Sequence, residues 1–172
     1  MTKVRFECSH GNFTAEINEE WAPLGVARFL ELVEDGFFQD IHFFRVVTQP
    51  RPFVVQFGIH GDPEVSAKWR NSSFKDDPVK QSNAPGTITF ATSGPNSRTT
   101  QFFVNLGDNT FLDSQGFSPI GRVIEGMEVV KSICDAYGEA PNQMQIQSQG
   151  NEYLRKHFPK MDYIKQIVVI DE

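Results

Sequence analysis

The sequence predicts a mainly β fold, a sandwich or a closed barrel with few helices. Three observations carry that prediction. The opening residues alternate apolar and polar positions around a turn, several further short runs are β-branched or aromatic and are separated by Gly, Pro and Asn clusters, and only a few stretches show helical spacing. With 172 residues and no internal repeat, low-complexity tract or linker, residues 1–172 are expected to form a single domain.

Val4 to Cys8 and Phe13 to Ile17 alternate, and His10-Gly11-Asn12 supplies turn chemistry between them, so they read as a hairpin. From Ala22, the residues Val26, Phe29, Leu30 and Val33 recur at helical spacing. Pro23 stands where a first turn tolerates it and Gly36 is a stop, which predicts an amphipathic helix of about three turns. The strand-like runs are Ile41 to Val47, Phe53 to Phe57, Thr87 to Ala91, Phe102 to Leu106 and Ile120 to Val123. Between Gly58 and Asn83 the pattern lapses into Asp62-Pro63, Asn71-Ser72-Ser73 and Asp76-Asp77-Pro78, a polar surface excursion. Glu125 to Ile133 reads as a second helix that Ala136 to Pro141 breaks, and Gln143 to His157 as a weaker third that contains Gly150. Ile164 to Ile170 is a terminal strand expected to close the sheet near the first.

Composition excludes several function classes. At 39% hydrophobic and 22% charged residues the chain is unlike a disordered one, and a net charge of -6 argues against nucleic-acid binding, which calls for a basic face. The longest apolar run, Ile167 to Ile170, is far short of the roughly 20 residues a membrane span needs. The first residues lack the apolar stretch of a secretory signal, so a cytoplasmic protein is expected. Cys8 and Cys134 stand far apart without a Cys-x-x-Cys pattern and read as reduced, structural thiols. His10, His42, His60 and His157 are scattered, with neither metal-ligand spacing nor a nucleophile partner, so no metal or cofactor is expected.

One cation is oddly placed. Arg45 sits between Phe43-Phe44 and Val46-Val47 in a run that otherwise reads as a buried strand, and Gln56 follows Phe53-Val54-Val55 in the next. The guanidinium either reaches water from a strand end, pairs with a carboxylate, or serves chemistry.

Phe43-Phe44-Arg45-Val46-Val47, Phe53-Val54-Val55-Gln56, Gly61-Asp62, Gly86 to Ala91, Gly94-Pro95-Asn96 and Gln101-Phe102-Phe103-Val104 resemble the cyclophilin-type peptidyl-prolyl isomerases. Phe111-Leu112-Asp113, Gly121-Arg122-Val123 and Glu125 to Val130 continue the resemblance in order. It implies a closed eight-stranded antiparallel β-barrel capped by two α-helices. In this chain it would carry an extra C-terminal helical insertion at about 137–160 and another insertion at about 58–83. It also implies cis/trans isomerisation of X-Pro bonds without cofactor or covalent intermediate, serving proline-containing peptides and unfolded or partly folded proteins, by a protein expected to be monomeric.

By the same resemblance Arg45 is the catalytic arginine and Gln56 the glutamine that bonds it and the substrate. Phe53, Val54, Phe103 and Leu112 match the pocket for the proline ring, Ala91 and Thr92 the short strand that pairs with the substrate chain, and Gln101 a side chain of the groove. The chain departs from the pattern at three places. Phe44 replaces the histidine of the common Phe-His-Arg form, Thr48 to Pro52 is longer than usual, and Phe111 stands where many members carry a rim tryptophan. Cyclosporin-type macrocycles hydrogen-bond that indole, so their binding is expected to be weakened. For the rim histidine both Gly116 and Phe117 are open as counterparts. A competing function is a proline-peptide binding or scaffolding module with weak catalysis. A small-ligand barrel is disfavoured, because Phe and Ile side chains would fill a small lumen.

Overall fold

The computed structural model describes residues 1–171. Its strands are β1 (Thr2–Cys8), β2 (Gly11–Ile17), β3 (Ile41–His42), β4 (Arg45–Val47), β5 (Val54–Phe57), β6 (Thr87–Phe90), β7 (Phe102–Asn105), β8 (Pro119–Glu125) and β9 (Tyr163–Asp171). They form one curled antiparallel sheet in the order β3-β9-β1-β2-β8-β6-β7-β5-β4. The strands therefore number nine, against the eight expected. The run expected as a single strand from Ile41 to Val47 divides, because Ile41 and His42 pair with β9 whereas Arg45 to Val47 pair with β5. The two ends of the sheet are thus joined through Phe43-Phe44 in the chain, and they share no ladder among the described residues.

Alternation sets the core. In β1 and β2 every second residue is buried, placing Val4, Phe6, Phe13, Ala15 and Ile17 on one face. Phe6 stacks on Phe13 at 4.4 Å, and Phe57, Phe90 and Phe102 pack around Phe29 and Phe38 in the same core. The terminal strand pairs with β1, Val4 opposite Val169, as the sequence predicts.

Five α-helices flank the sheet: α1 (Pro23–Asp35), α2 (Pro63–Arg70), α3 (Met127–Lys131), α4 (Gln143–Gln149) and α5 (Asn151–His157). Helix α1 buries Val26, Phe29 and Leu32, while Leu30 and Val33 are half-buried at its margin. The polar stretch from Gly58 to Asn83 holds α2, started by Asp62, whose carboxylate accepts from Glu64 N, with Pro63 in the first turn. Farther along, the Asp77 carboxylate accepts from Leu24 N, Gly25 N and Arg98 Nη2 at 3.0, 2.9 and 3.0 Å, pinning this segment to the start of α1. The third helix expected from Gln143 to His157 is two short helices, because Gly150 at φ 65° breaks the run. That break lets Asn151 N donate to Gly61 O at 2.9 Å, so the segments 58–83 and 137–160 clasp each other. A Cβ on Gly61 would overlap the Asn151 amide. Phe44, Ile59, Ile146, Tyr153, Leu154 and Met161 form a second apolar cluster here.

Two buried groups are shifted strongly. Burial, reinforced by the charge of Asp162, pushes the Cys8 thiol up to about 12, which makes it an inert core residue. Burial also pushes His42 down to about 4, with the charge of Arg155 acting the same way and Asp40 opposing it. An imidazole with a depressed folded pKa favours folding fully above its unfolded pKa and loses that contribution as pH falls toward the folded value. Stability is therefore expected to drop between about pH 6.5 and pH 4, by on the order of 3 kcal/mol from this residue. Urea unfolding across that range checks it, and His42→Gln is expected to flatten the slope.

Candidate active site

The site grows from the register of three strands. In the β4–β5 pair Arg45 lies opposite Gln56 and Val47 opposite Val54, and in the β5–β7 pair Gln56 lies opposite Phe103 and Val54 opposite Asn105. Cross-strand partners share a face, so these side chains form one outer surface. Val46, Val55, Phe57, Phe102 and Val104 point the other way, into the main core. Both faces of β5 and β7 are covered, which is why their sequences read as apolar runs broken only by Gln56 and Asn105.

On the outer face Arg45 Nη1 donates to Gln56 Oε1 at 3.1 Å, and Gln56 Nε2 donates to Gln101 Oε1 at 2.9 Å. Arg45 Nη2 reaches Glu139 Oε1 at 3.4 Å. Its side chain is 30% exposed and Gln56 only 7%, so a wetted cation rests on a buried amide. The guanidinium carbon lies 5.8 Å from the centre of the Phe53 ring.

Arg45, Phe53, Val54, Gln56, Ala91, Thr92, Gln101, Phe103 and Leu112 all line one cavity of about 460 Å³. Val54, Phe103 and Leu112 form its apolar floor with Phe53, Ala91 and Phe117 against them. Phe111 stays at the rim, 46% exposed, stacked on Phe53 at 6.0 Å. Of the two residues left open for the rim, Phe117 lines the cavity, edge-on to Phe103 at 5.7 Å. Gly116 ends the 3-10 turn Thr110–Gln115 in a left-handed conformation.

The sequence reading missed part of the wall. Ser66 and Arg70 of α2, Gln143 and Gln147 of α4, and Ser93, Ser97, Thr99 and Thr100 line the same cavity. Nothing local marks these residues, because α2 and α4 reach the groove only through their clasp at Gly61 and Gly150.

It also missed the polar frame beneath the floor. Asn83, Asn105 and Asn109 are fully buried. Asn109 Nδ2 donates to Asn105 Oδ1 and to Phe53 O at 2.8 and 2.9 Å, and Asn105 Nδ2 donates to Thr87 Oγ1 at 2.8 Å. Asn83 Nδ2 donates to Asp113 Oδ1 and Phe117 O at 2.8 and 3.0 Å, while its oxygen accepts from Thr89 Oγ1 at 2.8 Å. Burial tends to raise the Asp113 pKa, yet hydrogen bonds from Ser82 and Asn83 outweigh it and hold the carboxyl below its usual value. Asn83→Leu strands the Thr89 hydroxyl and the Phe117 carbonyl at once, while Asp113 keeps its bonds from Ser82 and from the backbone N of residue 83. A loss of about 2–4 kcal/mol in chemical denaturation is expected.

Residues 3–151 match the model of the family described as cyclophilin type peptidyl-prolyl cis-trans isomerase/CLD. Peptidyl-prolyl cis-trans isomerase A of Dickeya dadantii is 34% identical over 144 residues, 80% of this chain and 74% of that one. Peptidyl-prolyl cis-trans isomerase B of Escherichia coli is 29% identical over 98% of this chain and 99% of its own. A solved cyclophilin type peptidyl-prolyl cis-trans isomerase of Cryptosporidium parvum shares the fold, with a TM-score of 0.71 at 21% identity over 99% of this chain and 98% of that one. A second structure of that protein, in the presence of the dipeptide Ala-Pro, gives 0.69 at 20% identity over 99% of each chain. By the family match and these relatives, the chain belongs to the cyclophilin-type peptidyl-prolyl cis-trans isomerases.

Proposed function

We propose that Arg45 supplies the hydrogen-bond donor that stabilises the twisted X-Pro amide, with the apolar floor holding the proline ring. The observation that carries this is the placing of one oriented guanidinium at the edge of an apolar recess. Rotation about an X-Pro bond breaks amide resonance against a barrier of roughly 18–20 kcal/mol. At the twisted geometry the proline nitrogen becomes pyramidal and regains a lone pair that the planar amide lacks. A donor aimed there favours the transition state over the ground state. A guanidinium suits the task, because it stays charged and transfers no proton.

In this reading Gln56 fixes the fork. Phe53, Val54, Phe103, Leu112 and Phe117 enclose the ring, whose burial anchors one side of the rotating bond. Ala91, Thr92 and Gln101 guide the substrate chain along the groove, and Phe111 forms its rim. The substrates are proline-containing segments of unfolded or partly folded proteins, which makes the enzyme a folding assistant. The crossing of the chain from one sheet end to the other through Phe43-Phe44 supports a single domain, with the nine strands curled round one core.

Exchange NMR on a short Ala-Pro peptide tests the role of Arg45. The parent protein is expected to accelerate cis/trans exchange, and Arg45→Ala to lose about a hundredfold of that acceleration while still binding peptide. Equal exchange by the variant would remove Arg45 from the mechanism. Binding without exchange by the parent would make the groove a recognition module. Because Phe111 offers no indole N–H, Phe111→Trp is expected to strengthen inhibition by a cyclosporin-type macrocycle by about threefold to tenfold, read by titration.

A further inference from the structure

We infer that Glu139, on the turn that follows α3, is a positioning residue for Arg45. The inference rests on the reading of Arg45 as the catalytic donor. Strand β4 ends the sheet, so its outward backbone groups need another partner. The turn provides it: Val46 N donates to Gly138 O at 3.2 Å and Thr48 Oγ1 to Asp135 Oδ2 at 2.8 Å. The turn is itself fixed, with Gly138 N on Asp135 O at 3.2 Å and Ala140 N on Tyr137 O at 2.9 Å. Tyr137 packs against the cluster that buries Phe44, the chain neighbour of Arg45.

Glu139 therefore meets the guanidinium from a tethered backbone. Gln56 accepts from Nη1 and Glu139 from Nη2, so each arm of the fork has an acceptor on a different element. One acceptor leaves the guanidinium plane free to turn about its bond to the stem, and a second on the other arm fixes it. Glu139 is more than half exposed, so the pair adds little to global stability. Its effect falls on the orientation of the donor and hence on turnover.

Glu139→Ala, Glu139→Gln and Arg45→Ala are compared with the parent by NMR exchange over a range of Ala-Pro peptide concentrations, together with thermal unfolding. Glu139→Ala is expected to lower kcat by about threefold to fivefold with KM and Tm unchanged. Glu139→Gln keeps an acceptor on the second arm and is expected to recover most of that loss. Parental kcat in Glu139→Ala, with Arg45→Ala inactive, would overturn the positioning role and leave the reading of Arg45 standing. A raised KM at unchanged kcat would overturn it too, by making Glu139 a substrate contact. Full activity in Arg45→Ala would remove both readings together.

Discussion

A guanidinium that is to hold one orientation beside a cavity can be neither sealed in an apolar sheet nor left loose in water. Sealed, it loses hydration that one amide cannot replace, and loose, it spends its time in the wrong orientations. The end strand of the sheet resolves the conflict. Arg45 begins β4, where the chain has just crossed from one end of the sheet to the other, so its head reaches the cavity mouth while Val46 goes to the core. Gln56 lies across from it and is braced by Gln101, which gives the fork a dry support and a wet side.

The recess beside Arg45 poses the opposite problem, because an apolar hollow gains contacts by collapsing on itself. Its floor residues come from β5, β7 and the 3-10 turn, elements with no reason to stay apart unless something beneath them is rigid. The buried Asn83, Asn105 and Asn109 do this, bonding the carbonyls of Phe53 and Phe117 directly. Hydrogen bonds with fixed lengths and angles, placed in a low dielectric, resist closure better than packing alone. A hollow held open in advance spares the ligand the free energy of opening it.

The parts of the fold legible in the sequence are those with a single buried face. β1, β2 and β9 alternate or run apolar as expected, and α1 shows its stripe between Pro23 and Gly36. Ile41 to Val47 looked like one strand because residues at a sheet end and at a crossover are both buried, and burial carries no mark of the ladder used. Helix α2 was hidden by its polarity, although Asp62-Pro63 is a helix start that reads equally as a turn. In the site, Arg45 and Gln56 stood out as polar side chains in apolar runs. The asparagine frame did not, since a buried Asn differs from a loop Asn only in partners distant in sequence.

Phe44 joins the strand crossing to the segment 137–160. In the common motif of the resemblance this position is a histidine, and an exposed phenylalanine there would leave apolar surface beside the groove. Here Phe44 is 2% exposed, covered by Ile146, Tyr153 and Leu154 of the segment 137–160 together with Ile59 and Met161. Burying such a side chain is worth about 1.5–3 kcal/mol, enough to hold a segment of two short helices that would be marginal alone. A histidine in the same place would lose much of that gain to desolvation. Packed over Phe44, the segment brings a tethered carboxylate and the polar face of α4 to the edge of the groove.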